Sequence, residues 1–452
     1  MSAFSPMLDY FVSRMEGLST NVFRLEAQNQ TANITPQSII RFTLPSNSLV
    51  QMDSFSFHFN AQTTSGGAAT VSARLPDDIS KLVNRVEVSI GGVAVAAGAN
   101  FYNVLAATKR VIDGDHLDGG MNHPEIIPST AGDNYVDGTL LAREEAPTSL
   151  NGAAQFCINK WHGFIGECKP EILDLSLVND VVITIYLEQP SLCTTLSDNI
   201  TAGGFITSAA LGGAVPNYIL NNIYATVKVF SLASGFYDSM VAEQMSSTGE
   251  LEVPFKQYFS FRDQSTGATR FNVATQSLDS IFVAHHAVVS PAGGTLHPVL
   301  ASGYAAIGDT QARLMKLGKM KYIHPYTRFR EPTAAGGTKI LQEFQLNGAK
   351  YPQFRATSED MYEILRHSST RGSRYERDTG LQQYKSDDYV CAMKLTMDAP
   401  NARYIQGLDS RSVSLNGYYN VFNLATNSNI TLFCECTSSL LISSGRQVAV
   451  VQ

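Results

Sequence analysis

Val88-Ser89-Ile90-Gly91-Gly92 and Phe344-Gln345-Leu346-Asn347-Gly348 decide how this chain is read. Each run alternates apolar and polar residues and stops at a glycine turn, the pattern of a half-buried strand and its end. Each is followed, beyond a loop, by a helical pattern: Tyr102-Asn103-Val104-Leu105 after the first and Tyr362-Glu363-Ile364-Leu365 after the second. The strand ends lie 256 residues apart and the helices 260 apart. One unit of strand, turn, loop and helix thus occurs once in each half. That period is far longer than the roughly 20–50 residues of a solenoid repeat, so it points to two copies of one β-domain.

Around these units the chain reads as β. Phe55, Phe57 and Phe59 alternate with polar residues, which puts three rings on one sheet face. Val86–Ile90, Leu173–Leu177, Ala225–Phe230, Ser280–Ala284, Ile340–Leu346, Thr431–Cys436 and Gln447–Val450 continue the theme. Val181–Leu187 is apolar almost throughout and suits a strand covered on both sides. Gly, Asn, Ser and Pro separate the runs, the spacing of sandwiches or barrels rather than of alternating βα units. Helices are predicted at Phe101–Val111, with Asn100 as N-cap, and at Ser358–His367, capped by Ser358 with Glu359 and Asp360 in its first turn. Met7–Leu18 has a third amphipathic pattern. Asp77-Asp78, before Ile79, reads as a helix or turn cap.

The predicted organisation is an N-terminal arm over 1–30, a first domain over 31–220 and a second over 221–452. The seam is placed near Pro216 to Asn222, where sequence rich in glycine (Gly203, Gly204, Gly212, Gly213) gives way to the Ala225 strand.

Composition narrows the function. Of 452 residues, 44% are hydrophobic and only 16% charged, against about 25% charged in an average soluble protein. Much of the exterior is then neutral polar or buried against other subunits. The net charge is −7 and the charges of the first 50 residues cancel, which argues against a nucleic-acid footprint. No run of about 18 apolar residues marks a membrane helix. The first ten residues lack the charged and apolar regions of a secretory signal, so the six cysteines are expected reduced, and the sequons at Asn29, Asn199 and Asn429 unmodified.

Chemistry is scarce. The nucleophile elbow, the phosphate-binding loop and the zinc-protease helix motif are missing from the sequence. Asp113-Gly114-Asp115-His116-Leu117-Asp118-Gly119 resembles a calcium loop, but Leu117 stands where an oxygen ligand belongs. Cys157, His162 and Cys168 are three soft ligands without paired knuckles, beside Trp161 and Phe164, which read as core. Cys434 and Cys436 share a strand face and read as core thiols; His285 and His286 point to opposite faces. Arg366, Arg371, Arg374 and Arg377 form one basic cluster, interleaved with Glu376 and Asp378, and read as a solvated or inter-subunit patch. The site expectation is therefore no catalytic residue, no cofactor and no metal.

The duplicated domain, with Ile90-Gly91-Gly92 closing a strand in the first copy and Leu346-Asn347-Gly348 in the second, resembles the double jelly-roll major capsid proteins of double-stranded DNA viruses. After Leu-Asn-Gly many relatives carry a charged, arginine-containing stretch. Ala349-Lys350-Tyr351-Pro352 stands here instead, closer to virophage or polinton-like members than to those of large nucleocytoplasmic viruses. The resemblance implies an all-β fold of two tandem eight-stranded jelly rolls with short inserted helices. It implies long tower loops, for which 112–156, 287–338 and 368–390 are the candidates. It further implies a homotrimer, a pseudo-hexameric block that tiles an icosahedral shell around a double-stranded DNA genome. The partners would be neighbouring capsomers, penton and minor capsid proteins and, where the virus has one, an internal membrane, with no sequence-specific nucleic acid. The location would be the virion, after synthesis and assembly inside the host cell. The alternatives are a carbohydrate-binding β-sandwich, which the single tryptophan disfavours and 19 tyrosines keep open, and a cupin-like enzyme, for which the His-x-His spacing is missing.

Overall fold

The computed structural model describes residues 19–28, 33–66, 71–74, 79–96, 100–113, 154–190, 195–198, 215–231, 235–265, 267–286, 329–368, 380–396, 407–411, 416–425, 427–443 and 445–452. The first half holds β1 (Ser19–Glu26), β2 (Ile39–Thr43), β3 (Leu49–Gly66), β4 (Val71–Arg74), β5 (Val83–Ile90), β6 (Val93–Ala96), α1 (Tyr102–Asp113), β7 (Ala154–Ile158), α2 (Phe164–Glu167), β8 (Ile172–Asp174), β9 (Val181–Leu187), β10 (Thr195–Asp198) and β11 (Val215–Ser231). The second holds α3 (Gly235–Thr248), β12 (Glu250–Ser265), β13 (Ala268–Phe271), β14 (Leu278–His285), β15 (Leu341–Leu346), β16 (Ala349–Thr357), α4 (Ser358–Ser368), α5 (Leu381–Asp387), β17 (Val390–Lys394), β18 (Gly417–Phe422), β19 (Ser428–Ser443) and β20 (Gln447–Val451).

The sheets repeat. In the first half the strand orders are β1-β11-β3-β7 and β2-β9-β5-β6; in the second they are β12-β19-β14-β17 and β13-β18-β15-β16. With β4, β8, β10 and β20 set aside as additions, each half has eight strands among the described residues. The first pairs with the eighth, the second with the seventh, the third with the sixth and the fourth with the fifth, all antiparallel. That is one long hairpin rolled into two facing sheets, a jelly roll, and the chain contains the pattern twice.

The duplicated motifs are the tips of these rolled hairpins. Gly91 and Gly92 have φ of 55° and 84°, and Asn347 and Gly348 of 49° and 89°. Two successive left-handed residues make the tight turn that matches strand twist, and Gly and Asn adopt it at least cost. They join β5 to β6 at the pair Ile90–Val93 and β15 to β16 at Leu346–Ala349.

Alternation then fills the cores. Phe55, Phe57 and Phe59 are fully buried on the inner face of β3. Phe42 of the opposite sheet meets Phe55 and Phe57 edge-on at 6.0 and 5.8 Å. In the second half Phe344 and Tyr419 pack at 5.0 Å. A polar chain also crosses that core: His285 Nε2 lies 2.7 Å from the Tyr419 hydroxyl, and the Cys391 thiol donates to Gln342 Oε1 at 2.6 Å.

Several expectations need correction. The arm is not an arm throughout 1–30, because Ser19–Glu26 is an edge strand paired along its length with β11. Residues 1–18, with the expected Met7–Leu18 helix, lie outside the described residues. The seam at Pro216–Asn222 falls inside β11, where a bulge after Asn221 and φ of 49° at Asn222 account for the turn-like composition. The first set of sheets ends instead at Ser231, and α3 leads into the second. Asn100 does not cap α1; Phe101, with φ of 68°, stands between them, and its carbonyl accepts from Leu105 N at 3.0 Å. Ser358 is engaged by Glu331 and Tyr389, and the cap of α4 is made by Thr357 and Asp360, whose carboxylate accepts from Thr357 N at 2.8 Å. Helix α3 carries no apolar stripe that would announce it, and the seven residues of α5 offer only Leu381 and Tyr384 on one face. Of the long-loop candidates, 112–156 and 287–338 lie mostly outside the described residues, whereas 381–390 of the third forms α5 and the first residue of β17 rather than loop. Asp77-Asp78, Gly114 to Gly119, and Arg371, Arg374 and Arg377 lie outside the described residues.

Candidate functional site

The most elaborate constellation of polar side chains lies at the seam between the halves. It forms because α1 and α2 sit on the first half while facing the outer surface of the β12-β19-β14-β17 sheet. Strand register lines up Tyr258, Glu435, Ser280 and Lys394 across that surface. Lys109 of α1 reaches over it, 3.7 Å from Glu435 Oε2 and 5.9 Å from the centre of the Tyr258 ring. The Tyr258 hydroxyl donates to Glu167 Oε2 at 2.8 Å, and Gly163 N donates to the same oxygen at 2.8 Å. His162 Nδ1 is 3.5 Å from Glu167 Oε1. Lys256 Nζ donates to Asp279 Oδ2 at 2.6 Å and to Thr437 Oγ1 at 3.0 Å.

Electrostatics fixes the charge states. Burial works against the Glu167 carboxylate, but the hydrogen bond and charge of His162 and the charge of Lys109 outweigh it and hold its pKa at about 2. Burial likewise opposes the Lys256 charge, and Glu435 and Asp279 overcome it, raising its pKa. Apolar contacts complete the seam. Phe164 meets Phe255 edge-on at 5.1 Å, and Lys169 N donates to Pro254 O at 2.8 Å. A cavity of about 30 Å³ is left among Tyr102, Phe164, Lys256 and Tyr258, space on the scale of water. This arrangement can hold two surfaces together; its acids and bases neutralise one another rather than face an open cleft.

A second polar cluster surrounds the start of α4. Lys385 bridges Glu359 at 2.8 Å and Glu331 at 3.9 Å around an open hollow of about 500 Å³. The Lys385 hydrogen bond and nearby backbone donors hold the Glu359 carboxyl at about 2. From here Ser358, Tyr389, Gln342 and Cys391 carry hydrogen bonds inward to Tyr419 and His285. Burial pushes the Cys391 thiol up to about 12, so it is a core group and no nucleophile.

The residues singled out in the sequence go to separate places. Cys157 lies 3.9 Å from His58 on the outer face of the first half, His162 is at the seam, and Cys168 is buried with its thiol raised to about 12, chiefly by burial. Among the described residues no group of three or more His, Cys, Asp or Glu is placed to hold a metal ion. Cys434 and Cys436 are buried thiols, and His285 and His286 bond different partners, Tyr419 and Thr431. Trp161, the side chain a glycan platform would use, is buried and donates to Phe55 O at 2.9 Å. Arg366 pairs with Glu363 at 3.1 Å. The seam residues Lys109, Glu167, Tyr258 and Glu435 were not legible as a site, because they come from four elements far apart in sequence.

The sequence matches no protein-family model and no curated protein sequence. Among solved structures the chain is similar to the Faustovirus major capsid protein, with a TM-score of 0.55, 10% identity, and coverage of 94% of this chain and 91% of that one. It is also similar to the crystal structure of PBCV-1 VP54 fitted into a reconstruction of the virophage Sputnik, with a TM-score of 0.53, 10% identity, and coverage of 96% and 97%. The likeness is one of fold, and it runs across both jelly rolls: this chain has the double jelly-roll fold of the Faustovirus major capsid protein.

Proposed function

We propose that the chain is a major capsid protein. The observation that carries this reading is the duplicated jelly roll itself, matched over 94% of the chain by a protein that is a major capsid protein. Composition supports it: a surface with few charges suits a protein whose faces are buried in an assembly. The seam supports it too, since two rolls of one chain already meet through unlike faces, the kind of contact that closes into rings when repeated. Three copies would set six rolls in a pseudo-hexameric block, and the blocks would tile an icosahedral shell around a double-stranded DNA genome. Neighbouring capsomers, penton and minor capsid proteins are the expected partners, and the virion, assembled inside the host cell, is the expected location. The two rolls are best bounded at 19–231 and 250–451. Catalysis has no part in this reading. Cryo-EM of the purified full-length chain tests it: blocks of hexagonal outline, or shells built of them, support the reading, and separate single chains that bind glycans would replace it with the carbohydrate-binding one.

A further inference from the structure

A hollow of about 550 Å³ lies where the chain passes from the first roll to the second, and its walls come from both. They are β8 and the turn after it, helix α3, the start of β12 and the end of β19. Most of the lining is apolar. Ile172 is 43% exposed, and Leu177, Val241, Leu251 and Leu441 are half-buried around it. The charges are of one sign: Asp174, Glu250 and Glu252 line the hollow, and among the described residues no lysine or arginine does.

Helix α3 is short of a packing partner on this side. From Val241 to Thr248 only Val241 and Met245 are half-buried and the rest are exposed. An isolated helix of 14 residues is marginal in water and takes most of its stability from an apolar face packed against something. Val241, Gln244 and Thr248, spaced to fall on one helical face, line the hollow.

The chain that precedes β1 ends beside it. Thr20, Phe230, Leu49 and Asp174 form one row across β1, β11, β3 and β8. Three inter-strand steps of roughly 4.8 Å put the start of β1 about 14 Å from the Asp174 wall. A helix over Met7–Leu18 would be about 18 Å long, enough to span that distance within its own chain. The sequence there has the matching chemistry. Leu8, Phe11, Met15 and Leu18 fall on one helical face, Arg14 borders that face, and Asp9 and Glu16 fall on the far side.

We infer that the hollow is the seat of residues 7–18 of the same chain, their apolar face set on Ile172, Val241 and Leu251 and Arg14 turned to Glu250 and Glu252. Seated there, the segment joins the β1 end of the first roll to the β12 end of the second and gives α3 the apolar contact it lacks. The contact lies within one chain, so it stands or falls apart from the capsid reading.

Full-length chain carrying both Phe11→Cys and Ile172→Cys, as an equal mixture of isotope-labelled and unlabelled protein, tests the seat. It is treated with a short bismaleimide beside each single variant, digested and read by mass spectrometry. The expected result is a linked peptide pair joining positions 11 and 172, given by the double variant alone and with both members of one isotope. Pairs of mixed isotope would mean that another copy's segment fills the hollow, and no linked pair would leave it to a different occupant; either result would overturn the inference. As a second arm, Phe11→Asp in the full-length chain is expected to raise amide hydrogen exchange across Gly235–Thr248 severalfold and to leave β3 as in the parent. Exchange of α3 at the parent's rate would count against the seat.

Discussion

The two halves share one strand order and differ in what their outer surfaces do. In the second half the β12 sheet is covered from outside and Tyr258 and Glu435 are drawn into an ion-paired seam. In the first half the equivalent β1 sheet leaves Val22 and Phe23 exposed. The cores differ as well: the first is a stack of rings around Phe42, Phe55 and Phe57, while a hydrogen-bonded chain from Ser358 to His285 threads the second. The comparison teaches that strand order and hairpin turns suffice to repeat a fold. What distinguishes the copies is where each side chain finds its partner, in its own roll or in the sister roll.

The strongest test of that contrast lies inside the first core. Phe57→Asp puts an unpaired charge among buried rings and is expected to cost about 4 kcal/mol or more, abolishing soluble folded protein; normal yield and melting would break the account of β3. At the seam, Phe255→Ala removes the ring that meets Phe164 and is expected to cost about 3–5 kcal/mol by denaturant titration. A loss under about 1 kcal/mol would mean that the halves are joined more loosely than described.

The polar core of the second half predicts acid sensitivity. Burial, with a smaller push from His286, lowers the His285 pKa from 6.5 to about 3. The unfolded chain therefore binds a proton between those values that the folded chain refuses. The stabilising contribution is whole above about 6.5 and is lost as pH falls, by up to about 1.4 kcal/mol per pH unit. Glu167 and Glu359, held near 2, add losses only at lower pH. His285→Gln should flatten the dependence between pH 7 and pH 5; an unchanged slope would place it elsewhere. Smaller still, Thr357→Ala at the cap of α4 should cost about 1 kcal/mol. Smallest, Val22→Asp should leave the stability of the single chain within about 0.5 kcal/mol.

Much of the fold was legible because the decisive signals are local. The period-two rings of β3 and the Gly-Gly and Asn-Gly hairpin tips state their own geometry. The strand β1 was missed because its apolar residues, Val22, Phe23 and Leu25, do not alternate cleanly. An edge strand on which only Leu25 is half-buried has little core face to select such a pattern. Helix α3 was missed for a related reason: from Val241 to Thr248 it is exposed or half-exposed, so burial imposed no stripe on it. The seam at Pro216–Asn222 was misplaced because a bulge inside a strand and a linker between domains draw on the same Asn and Pro chemistry. The polar seam could not be read at all, since Lys109, Glu167, Tyr258 and Glu435 become neighbours only through tertiary packing.

Light scattering on the size-separated full-length chain reaches the central claim most directly, because rolls that meet through unlike faces within one chain should repeat such contacts between copies. The account predicts a single species with three times the mass of the 49.1 kDa chain. A folded species that keeps the mass of one chain at all concentrations would contradict it.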